Sequence, residues 1–177
     1  MSRSRYKIFD DHYPYFLTAT TVDWIPLFSN QELVQIILDS MDFMQKAGRI
    51  TVYAYVVMKD HIHFIASSDH LSKEVGDFKS FTAKTIINHL KIRESETILK
   101  RLAEGKLSFK TDRTYQLWQE GSHPQQIQTR DMMKQKVEYI HFNPVRKGYV
   151  VDPIQWPYSS ASNYFNGSGL ISVCTEW

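Results

Sequence analysis

Val56-Val-Met-Lys-Asp-His61-Ile-His63-Phe-Ile-Ala66 is the stretch on which the reading of this chain turns. Its apolar and β-branched residues are those of a buried strand, yet two histidines stand one residue apart within it. Side chains on a strand alternate faces, so His61 and His63 point one way while Ile62 and Phe64 point the other. Two imidazoles side by side on one sheet face can grip a divalent metal ion. The plainer reading is a pair of half-exposed strand residues with no ligand.

Working outward, Ile50–Met58 reads as a strand entering this one through Lys59-Asp60, a spacing that predicts a hairpin. Upstream, Tyr15–Val22 is aromatic and β-branched and predicts the first strand. Ser29-Asn-Gln-Glu32 has the form of a capping box, after which Leu33, Ile36, Ile37, Met41 and Met44 share a helical face that Gly48 ends. Downstream, Ser72 is placed to cap a helix to about Leu90, with Val75, Phe78, Thr82, Ile86 and Leu90 inward. Glu94–Glu104 adds a further helical turn or two, residues 106–114 read as a loop, and Tyr115–Gln119 as a fourth strand. The order β-α-β-β-α-β predicts an α+β ferredoxin-like split βαβ sandwich. Its four-stranded antiparallel sheet carries helices on one face, and the other face is left for a site.

Composition sets bounds. At 177 residues, with 42% apolar and 23% charged residues, the chain reads as one globular domain over 1–177 with an extended tail from about 150. A single cysteine, Cys174, permits no internal disulfide and suits a reducing cytoplasm. The start Met1–Lys7 is basic but has no apolar run behind it, and no segment approaches membrane-spanning length. The net charge of +2 conceals segregation: residues 79–147 hold fourteen Lys/Arg against seven Asp/Glu, between acidic flanks. Such a basic block is expected of a surface that tracks phosphates, although solvated helix faces would look the same.

A second site follows in Thr129–Arg146. Thr129 caps a helix that is expected to end near Asn143, since the residue before Pro144 is pushed out of helical geometry. Met133, Val137 and Ile140 form its buried stripe, while Lys136, Tyr139 and Asn143 share a neighbouring face. A phenol becomes a good nucleophile once deprotonated, which a cation one turn away, such as Lys136, or a nearby metal would favour. Asn143 has a side-chain oxygen to offer the same metal. Against this, tyrosines at helix edges commonly serve packing, and Asn before Pro is a common helix stop.

Together the two sites resemble the single-tyrosine HUH transposases, and among them the REP-associated tyrosine transposases. The residues that carry the resemblance are Met58-Lys-Asp-His61-Ile-His63-Phe, Phe78-Lys-Ser-Phe, Leu117-Trp-Gln-Glu-Gly-Ser-His123, Tyr139-Ile-His-Phe-Asn143-Pro-Val-Arg-Lys-Gly-Tyr-Val150 and Trp156-Pro-Tyr-Ser-Ser160. These blocks stand in family order over most of the chain. Lys59-Asp60 departs from the Pro-Asn common in members, and Asp60 could instead hydrogen-bond an imidazole. Asn143 stands where other single-tyrosine relatives use glutamine.

The resemblance implies a metal-dependent enzyme that cleaves and rejoins single-stranded DNA beside a hairpin, such as a repetitive palindrome or an element end. His61, His63 and Asn143 would hold one Mg2+ or Mn2+, with His123 or His141 as other candidates for the third ligand. Tyr139, helped by Lys136, would form a 5′-phosphotyrosine without any nucleotide cofactor. Tyr149, Tyr158 and Tyr164 are rival nucleophiles. Lys79, Lys84, Arg130 and Arg146, with Trp118, Phe109 and Tyr115, would track the backbone and stack bases. The expected setting is cytoplasmic, on nucleoid DNA, away from membranes, with a homodimer open. Two alternatives remain: a hairpin binder without chemistry, and a metal-dependent phosphodiesterase using water.

Overall fold

The computed structural model describes Ile8 and residues 12–177; the basic Met1–Lys7 start lies outside them. In chain order the elements are β1 (Tyr15–Thr20), α1 (Gln31–Lys46), β2 (Thr51–Val57), β3 (His61–Ser67), α2 (Leu71–Ile92), α3 (Glu96–Glu104), β4 (Gln125–Gln126), α4 (Arg130–Arg146) and α5 (Ala161–Asn166). The strands form one antiparallel sheet in the order β2-β3-β1-β4. This is the split βαβ arrangement the sequence predicts, with the histidine strand β3 in the interior.

Alternation sorts the two faces. Ile62, Phe64 and Ala66 of β3 join Tyr15, Leu17 and Ala19 of β1 in a large core under α1 and α2. Ile65 and Phe16 face the other way, where Ala54, Val56, Met133, Val137 and Ile140 bury a second, smaller core beneath α4. In β2 the parity switches, because Val52 pairs with Ala66 and Ala54 with Ile65, leaving Tyr53 as a bulge. Val52 and Tyr55, three apart, therefore share the larger core. The two helices over that core run antiparallel and are pinned at both ends by charge. Arg49 reaches Glu74 at 2.5 Å, and Arg93 reaches Glu32 at 2.6 Å.

Four local expectations are corrected. The cap of α1 is Asn30, whose side chain accepts from the Glu32 amide, so Ser29 forms no capping box. Helix α2 starts at Leu71, with His70 at its N-cap, so Ser72 lies within the helix. Helix α4 does not stop at Asn143 but passes through Pro144 to Arg146. Only the hydrogen bond a Pro144 N–H would have made is forfeited, and the turn closes with Lys147 N–H on the Asn143 carbonyl, before Gly148 at φ 71.

The fourth strand is the largest correction. Residues 117–119 run beside β1, with Val22 N–H on Leu117 O and Gln119 N–H on Thr20 O, but make only an isolated bridge, Thr21 with Trp118. Gly121 at φ 80 and His123 at φ 39, followed by Pro124, break the ladder, and pairing resumes at Gln125–Gln126. The far edge, β2, is covered likewise. Val57 N–H donates to Tyr158 O, Ser160 N–H to Tyr55 O, and Cys174 N–H to Val52 O. Among the described residues no helix is long and apolar enough to cross a membrane.

Candidate functional site

His61 and His63 point from β3 toward α4, their ring centroids 4.8 Å apart. Each uses its Nδ1 on a neighbour. His61 Nδ1 lies 2.5 Å from Asp60 Oδ1, and His63 Nδ1 lies 2.8 Å from Thr18 Oγ1. Thr18 is the residue directly opposite His63 in the β1–β3 register. When the Nδ1–H of a neutral imidazole donates to such an oxygen, its Nε2 keeps a free lone pair, the form in which imidazole ligates metals. Burial holds the His63 pKa down to about 3, and the nearby His61 and Lys136 charges push the same way. His63 is therefore neutral at any ordinary pH.

Tyr139 reaches this pair from α4. Its ring meets that of His63 at 5.4 Å, edge to face, and that of Phe16 at 5.7 Å. Phe16 in turn stacks on His63 at 5.2 Å. The tyrosine is 39% exposed, so the site opens to solvent rather than lying within the core. Lys136 holds its ammonium 4.8 Å from the Phe16 ring. Arg146 lays its guanidinium 5.1 Å from the Tyr139 ring and donates to the Tyr139 carbonyl at 3.2 Å. Two cations thus stand beside the phenol and the paired imidazoles.

Helix α4 passes along β3 from the His63 level toward the hairpin turn, for Tyr149, just past its end, stands under Lys59 at 4.2 Å. Asn143 lies on that course, buried at 5% exposure, one turn beyond Tyr139. Among the described residues no three His, Cys, Asp or Glu side chains cluster so as to hold a metal. His141 is spoken for elsewhere: its Nε2 lies 2.9 Å from Ser160 Oγ, its ring packs on Tyr164, and burial lowers its pKa to about 4. His123 is exposed in the loop beside β1, whose Ser122 carbonyl accepts from the Thr18 amide.

The rival tyrosines are less suited. Tyr164 lies on α5 rather than in a loop, donates to Tyr53 O at 2.9 Å, and has its pKa raised by burial. Tyr149 stacks on Trp156 at 5.5 Å, and Tyr158 packs against the larger core. The expected nucleic-acid residues divide between two faces. Arg130 and Arg146 lie on α4, at the histidine side, whereas Lys79 and Lys84 lie on α2 behind the sheet. Arg130 reaches the Trp177 carbonyl at 3.1 Å, and half-buried Lys79 donates to the Gln119 carbonyl at 3.1 Å. Trp118 is a core residue, 6% exposed, with its indole N–H on Thr82 Oγ1, so it offers no face to a base. Phe109, 70% exposed, does.

Sequence reasoning missed Thr18 and Phe16. Both lie on β1 opposite β3, and only the strand register, which neither sequence segment states alone, brings them to His63.

No family profile and no curated protein matches the sequence. The fold matches a solved REP-associated tyrosine transposase bound to a REP hairpin, at a TM-score of 0.64 and 18% identity. The alignment covers 99% of this chain and 96% of that one, and at such identity establishes a shared fold. A structure from Deinococcus radiodurans, provisionally described as a transposase, aligns at a TM-score of 0.43 and 17% identity. It covers 80% of this chain and 98% of that one, too loosely to carry weight.

Proposed function

We propose that this chain is a metal-dependent single-strand DNA endonuclease and strand transferase of the REP-associated tyrosine transposase type, acting beside a DNA hairpin through Tyr139. The observation that carries the reading is the meeting of the Tyr139 ring with His63 at 5.4 Å, in a solvent-open site whose two imidazoles have their Nδ1 atoms engaged. The likeness in fold to a protein solved with a REP hairpin supports the choice of substrate.

His61 and His63, with the Asn143 amide, fit a hard divalent cation such as Mg2+ or Mn2+, since the donor set leaves room for water and phosphate oxygens. Bound there, the ion would polarise the scissile phosphate and stabilise the charge on the departing oxygen. The chain's own residues do the rest. Tyr139 Oη gives up its proton and forms a bond to phosphorus, while the bond to the 3′-oxygen breaks and that oxygen takes a proton. The products are a 5′-phosphotyrosine and a free 3′-hydroxyl. Attack by another 3′-hydroxyl reverses these steps and joins the strands without external energy, because one phosphodiester is exchanged for another. Lys136, over the Phe16 ring, and Arg146, over the Tyr139 ring, offer positive charge to the approaching phosphate. Thr18 and Asp60 keep each imidazole oriented with Nε2 outward.

The test is incubation with an end-labelled hairpin oligonucleotide and Mg2+, followed by denaturing electrophoresis. A protein–DNA adduct that Tyr139→Phe abolishes is the expected result. Free cleaved ends with or without Tyr139 would mean a water nucleophile, and a gel shift without cleavage would mean a binder only.

A further inference from the structure

Behind the sheet lies a cavity that the proposed chemistry leaves unused. It is set between α2 and residues 110–121, with a volume of about 650 Å³. Four cations line it, Lys79 and Lys84 from α2 and Lys110 and Arg113 from the facing chain, against two acids, Asp112 and Glu120. Both acids are engaged: Glu120 pairs with Lys110 at 2.8 Å, and Asp112 with Arg113 at 2.6 Å. Lys79 and Lys84 make no ion pair among the described residues. The half-buried Lys79 ammonium donates instead to the Gln119 carbonyl at 3.1 Å. Burial holds its pKa below the usual lysine value, with the Glu120 charge opposing that shift. A cation kept from water without a bonded carboxylate is destabilising, and an anion in the cavity would offset that.

We propose that this cavity is a second DNA subsite, in which Lys79 and Lys84 grip the phosphates of the single-stranded arm that leaves the hairpin. The proposal rests on the hairpin-cleaving reading above and adds a place for the strand away from the histidines. Five positions apart on α2, the two lysines are displaced by about 7.5 Å along its axis, which suits neighbouring phosphates of an extended strand. One wall of the cavity, at residues 119–121, belongs to the chain that borders β1. Gln119 N–H donates there to Thr20 O, and Ser122 O accepts from the Thr18 amide. Thr18 is the residue against His63, so an arm leaving the histidine face need cross only this border to enter the cavity. Aromatic rings stand ready for bases. Tyr115 lines the cavity, and Phe109, 70% exposed, lies with its ring 5.6 Å from the Lys110 ammonium. The volume is that of a site enclosing a small ligand, so it takes nucleotides singly, and a duplex would rest on its rim. Charged residues are depleted at the centre of protein–protein contacts, whereas phosphates seek them.

Fluorescence anisotropy of the whole chain in EDTA tests this by binding alone, independently of cleavage. The probes are a hairpin oligonucleotide and the same hairpin carrying a single-stranded arm of about ten nucleotides. The wild-type chain should bind the armed probe at least about tenfold more tightly than the bare one. Lys84→Glu, at an exposed position that leaves the core intact, should remove most of that gain. Lys79→Met should do the same, and should lower the slope of log affinity against log salt for the armed probe by about 0.7, the loss of one phosphate contact. Equal affinity of the wild type for the two probes overturns the proposal, and so does a Lys84→Glu chain that keeps the full gain. A double-stranded arm bound as tightly as the single-stranded one would equally overturn it. An arm-dependent gain lost in Lys84→Glu, in a chain that forms no adduct through Tyr139, would uphold the subsite and remove the nuclease reading instead.

Discussion

Tyr139 and His63 of one chain lie with their rings 5.4 Å apart, edge to face, although 76 residues separate them in sequence. Helix α4 reaches the site by packing Met133, Val137 and Ile140 on the sheet, so the juxtaposition is fixed by the core of a single protomer. Cleavage is therefore expected in cis. A mixture of Tyr139→Phe and His63→Ala chains should yield no adduct, whereas each alone should still shift a hairpin in a gel. Loss of the proposed nucleophile should cost at least about 10³-fold in cleavage rate. Recovery of activity in the mixture would show that the helix serves a neighbouring chain.

The oxygens behind the imidazoles give a second prediction. Thr18→Val removes the hydroxyl facing His63 Nδ1, and Asp60→Asn removes the charge on His61 Nδ1. Each change should weaken Mn2+ binding by about 10- to 100-fold, read by electron paramagnetic resonance of the free ion. Unchanged affinity with lowered cleavage would assign these residues a different part.

Trp118 separates a core role from a DNA role. Buried at 6% and tied to Thr82, it should cost about 3–5 kcal/mol of unfolding free energy when replaced by Ala. Phe109→Ala, at a site 70% exposed, should leave stability within about 0.5 kcal/mol. Chemical denaturation of the two variants decides between them. Equal stabilities would mean that the indole is not part of the packed core.

Acid should loosen the second core. The His141 pKa is lowered in the folded chain to about 4 from an ordinary value of 6.5, because burial disfavours the charged ring. A depressed folded value means that the unfolded chain binds the proton first as pH drops. The stability contributed by neutral His141 is thus complete above 6.5 and lost as pH falls through 4, amounting to about 2 kcal/mol by pH 5. The pH dependence of unfolding free energy between 7 and 5 should be shallower by that amount in His141→Leu. Parallel profiles would show that the ring is protonated without penalty.

Much of this was legible because period-two alternation is local. His61, Ile62, His63 and Phe64 reveal their faces within four residues, and the stripe Met133, Val137, Ile140 reveals the inner side of α4. What escaped depends on partners distant in sequence or on small balances. Thr18 meets His63 only through register, and Tyr53 hides a bulge that alternation alone cannot locate. Trp118 looked like a stacking residue because a lysine-rich context says nothing about which way an indole points. Pro144 looked like a stop, but near the end of a helix its missing N–H removes a single bond, and one further turn of contacts outweighs it.

The irregular chain that lines the open sides of β1 and β2 has a wider consequence. An unsheathed strand is a template on which foreign extended chain can polymerise. Here residues 117–127 and 158–174 occupy those hydrogen-bonding rims with irregular chain. Clipping the C-terminal segment that ends on Val52 should therefore convert a well-behaved solute into one that seeds fibres, and thioflavin fluorescence of the truncated chain would register it.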